Sequence, residues 1–171
     1  MQNIKTLEDM LPQEAEECIA KRTGEIGGNT EELYKFFCTA SSAAMAKKWD
    51  SQRISALVAA IEEHDVRQAA PKLLEYLKAT DRINRTTCTA IRMLGRWKYE
   101  DAADFMQKAL APLQHYYMHE NAYAGSKSLY HGNPEELRVY WAQIDALQTA
   151  LEDLGHPAEH KISRDSKFSY R

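Results

Sequence analysis

Apolar residues in this chain recur three and four positions apart almost throughout, and no segment sustains an alternation of two. Such a chain cannot lay down half-buried strands, whose side chains must point to opposite faces in turn. Seven glycines and five prolines in 171 residues leave few interruptions. The reading is all-α.

Helix starts follow from capping residues. Asn29-Thr30-Glu31-Glu32 precedes Leu33, Phe36, Phe37 and Ala40, and Asp50-Ser51 precedes Ile54, Leu57, Val58 and Ile61. A third helix is expected from about Val66 to Ala79, with Pro71 near its first turn and Leu73, Leu74 and Leu77 as its stripe. Thr80-Asp81 should cap a fourth over Arg82 to about Trp97, and a fifth should run from Glu100 to about Tyr117, bent or ended by Pro112. Asn133-Pro134-Glu135-Glu136 combines a cap, a proline at the first helical position and acidic residues at the positive helix end. It opens a long helix to Leu154, stopped at Gly155.

Two of these segments resemble one another. Ala70, Leu73, Leu74 and Leu77 answer Ala102, Phe105, Met106 and Ala109 at an offset of 32, and Ala90 to Gly95 matches Ala150 to Gly155 in ending on Leu-Gly. Through Val66-Arg67-Gln68-Ala69-Ala70-Pro71-Lys72-Leu73-Leu74 and Ala90 to Gly95 the chain resembles the HEAT-like helical repeats, in the short bacterial form also found in phycobilisome lyases. The resemblance covers Val66 to Gly95 and, less closely, Tyr99 to Gly155. It implies antiparallel helix pairs stacked as a short α-solenoid; a compact helical bundle is the alternative. The expected layout is one helical domain over residues 1–155 and a basic tail or strap over 156–171, carrying Lys161, Arg164, Lys167 and Arg171.

With 44% hydrophobic and 27% charged residues and a net charge of -3, the composition is that of a globular chain with no general pull toward polyanions. No apolar run is long enough for a bilayer, and Met1 to Leu11 does not read as a signal peptide. Cys18, Cys38 and Cys88 lie among helical apolar positions, which fits reduced, buried thiols in a cytoplasmic protein.

Charge singles out the fourth helix. From Arg82 to Lys98 it has five basic residues and no acidic one, and Arg82, Arg85, Arg92 and Arg96 fall within an arc of about 80° opposite Ile91 and Leu94. Forked guanidinium donors in a row suit a carboxylate-rich protein surface or a phosphate backbone. The plain alternative is a solvated face paired with Glu62, Glu63 or Asp65. Against nucleic acid stand eight acidic and four basic residues from Met1 to Lys35.

The second candidate is the stretch His115 to Asn133, taken as an insertion between helices. Tyr116, Tyr117, Tyr123 and Tyr130 offer large contact area with little rotamer entropy to lose, or else simply cover the end of the core. His115 and His119, like His156 and His160, are four apart but lack a third ligand, so no metal is expected. No Gly-x-Ser-x-Gly, phosphate loop or acid–base pair in a distinctive setting occurs, so neither enzyme chemistry nor a cofactor is expected.

The sequence thus points to a protein-binding module whose partner meets the arginine stripe and the tyrosine-rich stretch; a bacterial origin is what the resemblance to the short bacterial HEAT-like form implies. Small, mildly acidic helical proteins of this kind resemble toxin-immunity proteins, which implies a toxin domain as partner. A nucleic-acid-binding HEAT-like protein and a relative of the chromophore lyases are the alternatives.

Overall fold

Asn29 caps its helix as the sequence requires, its Oδ1 accepting the Glu32 N–H at 3.1 Å, and Asp50 does the same for Gln52 at 3.0 Å. The computed structural model describes residues 6–80, 84–123 and 134–168. Among them are seven α-helices and no strand: α1 (Pro12–Ile26), α2 (Thr30–Lys47), α3 (Ser55–Glu63), α4 (Ala70–Ala79), α5 (Arg85–Arg96), α6 (Ala103–Tyr123) and α7 (Pro134–Leu154).

Three sequence expectations are corrected. The cap of α5 is Asn84, whose side chain accepts the N–H groups of Thr86 and Thr87 while Thr87 Oγ1 accepts its own N–H at 2.6 Å; this reciprocal cap starts the helix at Arg85 rather than Arg82. Pro112 lies inside α6 and does not end it, because proline removes one main-chain bond while the packing of α6 along α7 holds the rest. The supposed insertion is therefore helical as far as Tyr123. Its remainder, 124–133, lies outside the described residues.

The chain divides into two compact units, Met1–Ala90 and Ile91–Arg171, with the boundary inside α5. In the first, α1 packs on α3 and α2 packs on both α3 and α4, with Ile19, Leu33, Phe37, Leu57, Ile61 and Leu73 sealed from water. Each such side chain contributes roughly 1.5–3 kcal/mol by leaving water. No capping residue announces α1, which begins behind Leu11 with Pro12 in its first turn and buries Ala15, Ile19 and Thr23 four apart.

In the second unit α6 and α7 lie side by side over Met106, Ile144, Leu147 and Leu151. Gly95 sits within α5 at a close approach to α7: a Cβ there would stand 2.6 Å from the Ala150 Cα. Gly155, by contrast, ends α7 at φ 82, which glycine adopts at little cost. The two Leu-Gly pairs that look alike in sequence thus do different work.

The repeat itself shifts by one residue. Lys48, Asp65 and Lys98 take left-handed φ values of 52, 49 and 56, and each is followed by a residue whose N–H reaches back to a helix carbonyl: Trp49 to Ala44, Val66 to Ile61 and Tyr99 to Leu94, at 2.9–3.1 Å. A short 3-10 turn and the next helix come after each. Asp65 and Lys98 are 33 positions apart, and at that offset Ala69, Leu73 and Leu77 meet Ala102, Met106 and Leu110, all buried.

Candidate partner-binding faces

The arginines of α5 are not uniformly available. Arg82 lies outside the described residues. Arg85 is exposed, on the wall of a concavity of about 690 Å³ that also includes Glu62 and Asp50. Arg92 is paired with Asp145 of α7 at 3.2 Å, with both side chains about half exposed. Arg96 is exposed and also has an interaction partner. An open row of forked donors is what the sequence suggested, but Asp145, a carboxylate 53 positions along the chain from Arg92, already takes one of them.

The tyrosines divide between two sides of α6. Tyr117 is buried, its ring 5.6 Å from that of Trp141 on α7 and its hydroxyl donating to the Arg164 carbonyl at 2.5 Å. Burial pushes its hydroxyl above the ordinary tyrosine range, with Arg164 opposing the shift and Asp165 adding to it. Tyr116, one residue earlier, is 37% exposed and meets Tyr140 at 4.7 Å between ring centroids. Its hydroxyl is raised by partial desolvation and by Glu120 and Glu136. Val139, next to Tyr140 in the chain, is 51% exposed. Tyr123 is half-buried against the His119 ring at 5.0 Å, and Tyr130 lies outside the described residues.

Tyr140, Trp141 and Val139 escape a search for tyrosine-rich loops because they sit on α7, inside a regular helical pattern. The signal that could have found them is the tilt of their helix: Leu137, Trp141, Ile144, Gln148 and Leu151 form the inward stripe. Val139 stands off that stripe, where a large apolar residue has no core to join. Gln148, a polar residue on the stripe, is likewise a flag that something must meet its amide.

Residues 156–168 run back from Gly155 along α6 and α7, with Ile162 buried. In the first unit a concavity of about 340 Å³ is bordered by Trp49, Asp50, Ser51, Tyr76 and Asn84. The Tyr76 hydroxyl on its wall has no partner of good hydrogen-bond geometry, although Ser51 is near enough to temper its acidity shift. Burial pushes that hydroxyl up to about 12.

The histidine pairs are engaged elsewhere. His115 lies edge-on to Phe168 at 5.1 Å, His119 contacts Glu120 at 3.4 Å, and His156 contacts Glu100 at 2.8 Å. Among the described residues no three His, Cys, Asp or Glu side chains stand as a metal-holding group, and no helix is long and apolar enough to cross a membrane. Cys88 is buried, while Cys18 and Cys38 are half-buried, because their helix positions fall at the edge of the stripe rather than on it.

No protein-family model, curated protein or solved structure matches this chain.

Proposed function

We propose that the chain is a non-enzymatic protein-binding module that engages one partner through the outer side of the α6–α7 pair. The observation that carries the reading is that Tyr116 and Val139 are both exposed, with the Tyr116 ring against Tyr140, the chain neighbour of Val139. We read them as one apolar patch; contiguous exposed patches mark interaction sites, and tyrosine is enriched where interfaces concentrate their binding energy. Tyr117 and Trp141 stiffen the helix pair behind the patch, so little side-chain entropy is lost on association. Arg138 and Glu135, both exposed and 3.2 Å apart, would form part of a polar rim.

The turn that recurs at a spacing of 33 supports helix pairs of the HEAT-like kind over an irregular bundle. The sharper form, an inhibitor that neutralises a toxin domain, rests on the resemblance to immunity proteins. The committed Arg92 weighs against a duplex-binding surface, which needs several free cations in one field.

A tagged protein is to be compared with a Tyr116→Ser, Val139→Asp double variant in capture of a partner from the native host. Loss of the partner by a variant with unchanged helix content supports the proposal. Equal capture by both proteins overturns it. Toxin neutralisation is tested by co-expression with the product of an adjacent toxin-like gene, and unrelieved toxicity rejects that form.

A further inference from the structure

The strap over α6 and α7 is gripped by its main chain. Gln148, only 3% exposed, donates to the Ile162 carbonyl at 3.1 Å and accepts the Ile162 N–H at 3.0 Å, so one amide closes both main-chain groups of a single residue. Along α6, Gln114 donates to the His160 carbonyl at 2.8 Å, Tyr117 to that of Arg164 at 2.5 Å and Asn121 to that of Ser166 at 3.0 Å. The Phe168 N–H reaches the Met118 carbonyl at 3.4 Å. Positions 114, 117, 118 and 121 share one helix face, which makes a row of groups facing a strap that bends at 159–160 and turns at 164–165, where the Ser166 N–H reaches the Ser163 carbonyl at 3.0 Å.

Side-chain burial is confined to one point: Ile162 is the one buried side chain among the described residues of the strap, and a charge in its place could not be accommodated there. A grip of this kind gives affinity without reading sequence, and specificity is left to the hollows beside it. Those hollows are larger than the occupant needs. One of about 390 Å³ lies beside Ala158, walled by Leu110, Ala111 and Leu151. Another of about 290 Å³ lies beside Arg164 and Asp165, walled by Leu137 and Trp141. The methyl of Ala158 leaves most of the first unfilled.

We propose that the seam between α6 and α7 is a recognition groove for a peptide that carries the same Ser163–Ser166 turn as the strap, held in cis by residues 157–168. Its trans ligand is a partner segment with a bulky aliphatic residue in the place of Ala158 and an aliphatic residue in the place of Ile162. The groove needs neither Tyr116 nor Val139, so it goes beyond the outer face and stands or falls separately from it.

The test uses the full chain with a protease site inserted between Gly155 and His156 and cut after folding, so that the strap can exchange. Fluorescent peptides of residues 157–168 are then titrated, one with the native sequence, one with Ala158→Leu and one with Ile162→Asp. Filling the hollow with a larger side chain should tighten binding of the A158L peptide about tenfold over the native one. The I162D peptide should not bind. Equal affinity for the native and A158L peptides, or binding by the I162D peptide, overturns the proposal. So does a cut strap that leaves without any peptide replacing it. The uncut full chain carrying Ile162→Asp gives a second arm: it should capture the A158L peptide where the uncut native chain does not, and failure to do so with intact helix content has the same meaning.

Discussion

Tyr76 in the first unit and Tyr117 in the second are equally buried, each 3% exposed, yet their hydroxyls meet opposite fates. The Arg164 carbonyl accepts from Tyr117, whereas Tyr76 ends beside a concavity with no well-formed partner. Burying a ring is rewarded in both places; burying the oxygen is offset in only one. The difference comes from the strap, a non-helical segment in which the carbonyls of His160, Ile162, Arg164 and Ser166 take donors from the helices below. The first unit has no such segment over Tyr76 among its described residues. The contrast shows that the Tyr117 hydroxyl and the Gln148 amide are buried to hold a chain, while the Tyr76 hydroxyl is buried without one.

That contrast is sharpest at Gln148. Gln148→Leu removes an amide that serves Ile162 twice and also accepts from Gln114 at 2.9 Å, leaving three polar groups to be re-satisfied. The expected loss is about 3 kcal/mol in chemical denaturation, and hydrogen exchange at the Ile162 N–H should accelerate to that of an open segment. A variant as stable as the parent would mean that the strap is not held by this clamp. Tyr117→Phe should cost less, about 1–2 kcal/mol, since Asn121 also reaches the Arg164 carbonyl at 3.4 Å. No loss at all would erase the distinction between the two tyrosines.

Much of the second unit could be read from sequence because its signals are local. Pro134-Glu135-Glu136 and Gly155 bracket α7 within a residue, since a proline at the first helical position and a left-handed glycine each act on the backbone next to them. The long continuation of α6 through Pro112 was not legible: a proline is a local stop signal, and the packing on α7 that overrides it is a tertiary fact. For the same reason Tyr116 and Tyr117 look equivalent in sequence. They part only once α7 supplies Tyr140 to one and Trp141 to the other. The pairing of Arg92 was not legible because Asp145 lies 53 residues away, beyond any pattern within its own helix. The strap contacts were invisible for a further reason: main-chain acceptors exist at every residue, so no sequence pattern marks which ones are used.

The smallest effect, and the one of opposite sign, belongs to Tyr76. Tyr76→Phe removes an unpartnered buried oxygen while keeping the ring, so it should leave stability unchanged or raise it by about 1 kcal/mol at neutral pH, the reverse of Tyr117→Phe. Its pH dependence follows from the raised pKa of the hydroxyl. The folded protein keeps the phenol proton up to about 12, whereas the unfolded chain releases it near the ordinary value of 10. The stabilisation is therefore fully present below pH 10 and is lost as pH rises toward 12, because only the unfolded state gains from deprotonation in that window. Denaturation curves from pH 9 to 12 should fall less steeply for the phenylalanine variant than for the parent. Parallel curves would show that the Tyr76 hydroxyl is solvated in the folded protein, and the contrast with Tyr117 would then reduce to one of hydrogen-bond partner alone.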